Sequence, residues 1–297
     1  MSVLIRIQMI AVSAALLSGL CQSPAASQMA SLTAKLNSGQ PVRIVCFGDS
    51  VTGLYYHTGG RRTYTDMLGL ALRKAIPKAD ISLHNAGISG NTALAGLKRI
   101  ERDVLKMKPD LVTIMFGLND MTRRPLDQYR KNLEEIVAKC RAAGSQVLLC
   151  TPNAVIDTSS RPTAKLVQYC AVIREIAQAA KVPLCDTYAA FDELRQTDRP
   201  RWRLTMSDPI HPNMGGHRFI AEQIAKSITG KAVSLAGTPP PEDPLRHLRQ
   251  LLTTDKPVRV SAMPPYDKLL GTVLPQGRTE ITPWPTDKQS LPQIELQ

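Results

Sequence analysis

Val42-Arg43-Ile44-Val45-Cys46-Phe47 runs into Gly48-Asp49-Ser50-Val51-Thr52-Gly53, and the reading of this junction decides the fold. An almost unbroken apolar run bounded by turn residues reads as a buried strand. Gly48, Asp49 and Ser50 then force a sharp turn. A serine at the carboxyl end of a parallel strand stands where open α/β sheets gather their ligands. Gly, Asp and Ser are also the commonest turn residues, so the tripeptide alone leaves an ordinary strand-to-loop turn open.

Working outward, the pattern repeats. A polar loop over 51–62 leads to the helical pattern Tyr64, Met67, Leu68, Leu70, Ala71, Leu72, Ala75 and Ile76, ended by Pro77. Ile81 to Asn85 reads as a second strand. Asn91 or Thr92 can cap a helix running to about Lys108, and Pro109 ends it. Leu111 to Phe116 is the most apolar strand. Helix Leu126 to Ala143 stops at Gly144, Val147 to Cys150 is strand four, and helix Thr163 to Ala180 precedes strand five at Val182 to Cys185. Phe191 to Gln196 suggests one or two helical turns. Arg199 to Ile210 reads as irregular, and a last helix, His217 to Ser227, follows Pro212. Strands alternating with helices imply an α/β protein, its parallel sheet covered on both faces. Five strands suit a doubly wound, flavodoxin-like sheet in the order 2-1-3-4-5.

The flanks differ in texture. Residues 1–25 carry one early positive charge, an apolar stretch from Ile7 to Leu20 and small residues around Ala25, the layout of an export signal. That stretch is short for a stable membrane span. Cys21 follows Leu20, where a lipoprotein site wants a small residue, so lipid anchoring is the lesser expectation. Residues 26–230 form the expected domain. Residues 231–297 are broken by Pro239, Pro240, Pro241, Pro264, Pro265 and others, and read as an extension that wraps the domain or is partly disordered, with one short helix at Leu245 to Leu252. The net charge is +12, but the basic residues are spread among acids and aromatics are few, which excludes nucleic acid as the expected partner. Cys46, Cys140, Cys150, Cys170 and Cys185 fall in strands and helices as small apolar side chains. No Cys/His cluster suggests a metal.

Three polar signals stand at the ends of the first three strands, namely Gly48-Asp49-Ser50, Asn85-Ala86-Gly87 and Gly117-Leu118-Asn119-Asp120. A fourth, Asp208-Pro209-Ile210-His211, precedes the last helix. In this order and spacing they resemble the four blocks of the SGNH hydrolase family, also called GDSL esterases and lipases, over residues 42 to 229. The resemblance implies Ser50 as nucleophile, His211 as its base and Asp208 as the group that orients the histidine. It also implies an oxyanion hole from the N–H of Ser50, the N–H of Gly87 and the side-chain amide of Asn119.

Asp49 and Asp120 read as structural, and His217 as part of the last helix. Tyr55, Tyr56 and His57, on the loop after Ser50, and Trp202 are candidate cleft residues. No G-x-S-x-G elbow is present. The expected activity is that of an exported serine esterase removing a short acyl group, acetyl foremost, from a small-molecule or polysaccharide ester, with no cofactor. A lipase or lysophospholipase is the alternative enzyme, and a non-catalytic binding module the alternative class.

Overall fold

The strand that opens the argument, β1 (Val42–Gly48), lies inside a five-stranded parallel sheet. The computed structural model describes residues 24–53, 56–58, 63–236, 258–262, 279–283 and 295–296, with backbone alone for 24–28, 56 and everything beyond 236. Beside β1 lie β2 (Ile81–Gly87) and β3 (Leu111–Met115), followed outward by β4 (Gln146–Cys150) and the two-residue β5 (Leu184–Cys185). The order is β2-β1-β3-β4-β5, as expected. Residues 44–47 are fully buried because both faces of the strand are covered, which is why the run is continuously apolar rather than alternating.

Helices α3 (Tyr64–Ala75) and α10 (Met214–Thr229) pack against each other with α1 (Pro24–Asn37), while α4 (Ala93–Asp103), α6 (Leu126–Ala142) and α7 (Thr163–Ala180) form a second group. Right-handed crossovers place these groups on opposite faces. Helix α1 has no counterpart in the sequence reading, although Met29, Leu32 and Leu36 sit at helical spacing and are buried. The hydroxyl of Thr33 donates to the Ile228 carbonyl at 2.8 Å, fixing α1 to α10. The helix expected to reach Lys108 ends at Asp103 and continues as a separate 3₁₀ turn over Leu105–Met107. Thr92 is its cap, accepting the N–H of Ala95.

Two further expectations are corrected. The stretch around Phe191 is a full helix, α8 (Thr187–Thr197), because Asp186 accepts the Ala189 N–H as its cap. Within the segment read as irregular, Asp198 accepts from Arg201 and Pro200 sits in the first turn of α9 (Arg199–Arg203). The short turn α2 (Ser50–Gly53) and α5 (Asp120–Arg123) follow β1 and β3. All five described cysteines are buried and free.

In the extension, β6 (Val258–Ala262) pairs in parallel with β7 (Thr279–Pro283) and antiparallel with β8 (Glu295–Leu296). The helix expected at Leu245 to Leu252 and the residues 1–23 of the expected signal lie outside the described residues.

Candidate active site

Register brings the polar signals together. Gly48 is level with Gly87 on β2 and with Met115 on β3, so three strands deliver their carboxyl ends to one edge. Gly48 is required there, since a Cβ would strike Thr52 Oγ1 and the Met115 carbonyl. The chain then turns into α2. The Asp49 carbonyl accepts the N–H groups of Thr52 and Gly53 at 3.2 and 3.0 Å, and Asp49 Oδ1 accepts that of Val51 at 3.0 Å. Ser50 therefore stands at the start of a rigid turn.

Its hydroxyl lies 3.0 Å from His211 Nε2. The other ring nitrogen, Nδ1, lies 2.7 Å from Asp208 Oδ2. A carboxylate only accepts, so Nδ1 carries the proton and the Nε2 lone pair faces the serine. The three-residue spacing of Asp208 and His211 has a local cause. Asp208 Oδ1 accepts the N–H groups of Ile210 and His211, both at 2.7 Å, curling the loop so that Oδ2 meets the ring. Burial would raise the Asp208 carboxyl, but the His211 ring and those amides outweigh it and hold it below its ordinary range. The loop is pinned at both ends. Ser207 donates its N–H to the His211 carbonyl at 2.8 Å, and Asn213 caps α10 through Gly215 and Gly216.

Asn119 ends the β3 loop and is buried. Its amide donates to the Asn91 carbonyl at 3.0 Å and faces Asp49 Oδ2 at 3.5 Å. Gly87 is placed differently from expectation. Its N–H donates to Asn85 Oδ1 at 2.9 Å, and a Cβ there would collide with the Gly53 backbone. Its glycine serves close packing, and its N–H is already used. Further along the loop Gly90 adopts φ +72°, and its N–H has no hydrogen-bond partner among the described residues.

The remaining candidates separate. His57, on a 3₁₀ turn over Tyr56–Thr58, lies with its ring stacked on His211 at 4.0 Å. Tyr55 and the side chain of Tyr56 lie outside the described residues. Trp202 is only 3% exposed. Helix α9 turns it inward, where it borders a cavity lined also by Val155, Ile156, Arg195 and Arg199. Asp49 and Asp120 are buried, and burial pushes their carboxyls up to about 7 and about 6. Asp120 Oδ1 accepts the Ala93 N–H at 2.9 Å, holding α4 against the β3 loop.

Two basic residues that the sequence did not single out organise this edge. Arg99, buried on α4, donates to the carbonyls of Gly48 and Ala86 and to Asn91 Oδ1 at 2.8–3.0 Å, with its guanidinium over the Phe47 ring. Arg161 donates to the Leu118 carbonyl and faces the charges of Asp49 and Asp208. A lone Arg within a helical pattern carries no signal of such a role. Its partners are carbonyls, which no sequence pattern displays.

His57, Asp208 and His211 are close enough to suggest a cation site. The ring planes argue otherwise. Imidazole binds metal in its own plane, and two rings stacked with centroids 4.0 Å apart and planes inclined by only 19° do not direct their nitrogen lone pairs at one shared point. The arrangement is a ring stack.

A serine, an imidazole and a carboxylate in line at a sheet edge match a known pattern, and residues 46–219 match the model of the GDSL-like lipase/acylhydrolase family. The chain belongs to that family. It is a serine ester hydrolase, and the alternative of a binding module falls. The hydrolase is 29% identical over 218 residues to an acetylxylan esterase of Geobacillus stearothermophilus, a match covering 65% of this chain and 96% of the relative. The crystal structure of that acetylxylan esterase aligns with a TM-score of 0.55, covering 63% and 94% of the two chains. Its structures described as catalytic mutants replace a serine, an aspartate and a histidine, the last two separated by three positions. A protein of Escherichia coli named for thioesterase, protease and lysophospholipase activities is 29% identical over 149 residues, half of this chain and 67% of the relative.

Proposed function

We propose that the hydrolase is an exported carbohydrate esterase that removes acetyl groups through Ser50, His211 and Asp208. The observation that carries this reading is the unbroken line Ser50 Oγ, His211 Nε2, His211 Nδ1, Asp208 Oδ2, with steps of 3.0 and 2.7 Å across the ring. In it, His211 takes the Ser50 proton as Oγ attacks the ester carbonyl, then returns it to the departing sugar hydroxyl. Asp208 stabilises the imidazolium formed in between. Water repeats the cycle on the acyl-enzyme.

The oxyanion of each tetrahedral intermediate takes hydrogen bonds from the Ser50 N–H, the Asn119 amide and the Gly90 N–H. Gly90 replaces the expected Gly87 because the Gly87 N–H is held by Asn85. The acetyl and carbohydrate preference is supported by the near full-length match to the acetylxylan esterase. Export is supported by the apolar segment and small residues before Ala25; among the described residues no helix is long and apolar enough to cross a membrane.

The test compares aryl acetate, aryl octanoate and acetylated xylan with the full chain and its Ser50→Ala variant. Acetate release from xylan that disappears in the variant supports the reading. A strong octanoate preference would move the substrate to lipids or thioesters, in line with the Escherichia coli relative.

A further inference from the structure

His57 sits closer to the base than a cleft-lining residue need be. Its side chain is only 5% exposed, and its ring lies nearly parallel to that of His211, with centroids 4.0 Å apart and planes 19° from one another. Nδ1 is 2.9 Å from the hydroxyl of Ser207, next to Asp208. Nε2 is 3.7 Å from Asp208 Oδ2, the same oxygen that takes the His211 proton. Burial first, and the neighbouring His211 second, lower the His57 ring to about 4, with Asp208 opposing.

We infer that His57 is a positioning residue for the base: a flat ring, anchored at Ser207, that holds His211 in the one orientation reaching both Ser50 and Asp208. This rests on the Ser50–His211–Asp208 reading. An imidazole on two single bonds must face two partners at once, and rotation about either bond breaks one contact. A plate against one face removes that freedom before substrate arrives. The plate must not add positive charge, because His211 becomes an imidazolium in each half-reaction. A neutral ring meets this need, and its π face is attracted to the cation that forms. The turn over Tyr56–Thr58 is thus part of the catalytic geometry although it contacts no reacting atom.

The experiment measures kcat and KM for aryl acetate in the full chain and in His57→Phe, His57→Leu and His57→Ala, with melting temperatures alongside. His57→Phe keeps a neutral flat face; His57→Leu fills the space without one. If a misaligned base costs on the order of 10–100-fold in turnover, His57→Leu and His57→Ala lose that much kcat at nearly constant KM. His57→Phe stays within about threefold of wild type by the same reasoning. In proton NMR the downfield His211 Nδ1–H signal persists in His57→Phe and broadens in His57→Leu, a change that a merely space-filling role would not produce. Wild-type kcat in His57→Leu overturns the inference even if His57→Ala does not fold. Equal losses in Phe and Leu also overturn it. If Ser50→Ala retains turnover, the underlying triad is wrong and the inference falls with it. If Ser50→Ala is dead and His57→Leu is normal, only the positioning role is lost.

Discussion

The backbone N–H of Tyr64 donates to Nδ1 of His217 at 3.1 Å, tying the first residue of α3 to the first turn of α10. The acceptor must be neutral, and burial lowers the His217 ring to about 3, with His57 and His211 adding to the effect. An unfolded histidine protonates near pH 6.5. His217 therefore costs no stability above that pH, and the native state loses stability as pH falls from about 6.5 toward 3, by a few kcal/mol in order of magnitude. Urea unfolding at pH 7, 5.5 and 4.5 measures the slope. In His217→Asn the slope shifts by the His217 contribution. What remains is the sum of His57 acting in the same direction and the buried Asp49 and Asp120 acting in the opposite one; an unchanged slope would refute the assignment.

Asp49 acts in the opposite direction. Burial raises its carboxyl to about 7 from 3.8, so the folded state keeps a proton that the unfolded state releases. Stability falls as pH rises from about 4 to 7 and levels off above that, again by roughly a few kcal/mol. Asp49→Asn keeps the acceptor for Val51 and removes the titration. Its stability advantage over wild type grows between pH 4.5 and pH 7.5 in calorimetry, and a constant difference across that range would count against the buried acid.

Asn119→Ala tests the proposed oxyanion hole. Loss of one donor costs ~10²–10³ in kcat with KM little changed. Gly87→Ala behaves differently, since its methyl meets the Gly53 backbone. It lowers the melting temperature and the yield of folded protein together. Steady-state kinetics beside thermal melts separates the two effects.

Arg99→Met removes the guanidinium's hydrogen bonds to the Gly48 and Ala86 carbonyls, and Gly48 keeps only that from the Ile88 N–H at 3.2 Å. Each hydrogen bond lost from a charged donor costs about 1.5–3 kcal/mol, so a loss of roughly 2–5 kcal/mol is expected, with reduced turnover because Asn91 and through it Asn119 lose their support. Full stability in this variant would mean that water replaces the guanidinium.

Leu32→Ala measures what α1 contributes. Leu32 is 1% exposed, and removal of such a side chain costs about 2–5 kcal/mol. Chemical denaturation reads this directly; an effect below about 1 kcal/mol would place α1 outside the cooperative unit.

The strands and the polar blocks around Ser50 could be read from sequence because each is a short contiguous signal. Their order in the sheet rests on analogy with doubly wound folds, and their grouping on the family resemblance. An apolar run ending in Gly48-Asp49-Ser50 marks both a strand and its exit, and Asp208 bonds amides only two and three residues away. What stayed hidden depends on contacts between distant segments. Arg99 looks like any helical arginine until β1 and β2 present their carbonyls to it. His57 cannot be told from a loop histidine until the loop before α10 returns, and Gly87 cannot be told from Gly90 until Asn85 takes one of the two N–H groups. Trp202 stands in a stretch without periodicity, and only the packing of α9 shows how deeply it is buried. Helix α1 escaped because its segment adjoins the expected export signal, where an apolar pattern has another explanation.

Ser50 and His211 are 161 positions apart, and this governs when the molecule can act. A growing chain carries the serine long before the histidine exists, and a chain held unfolded keeps the two apart on average. With the roles proposed for these two residues, neither form is expected to cut an ester. On that proposal hydrolysis starts only once α10 has docked on α3, a contact of high sequence separation. Recovery of aryl acetate turnover during refolding is thus expected to time that docking, independently of spectroscopy that reports helix content alone.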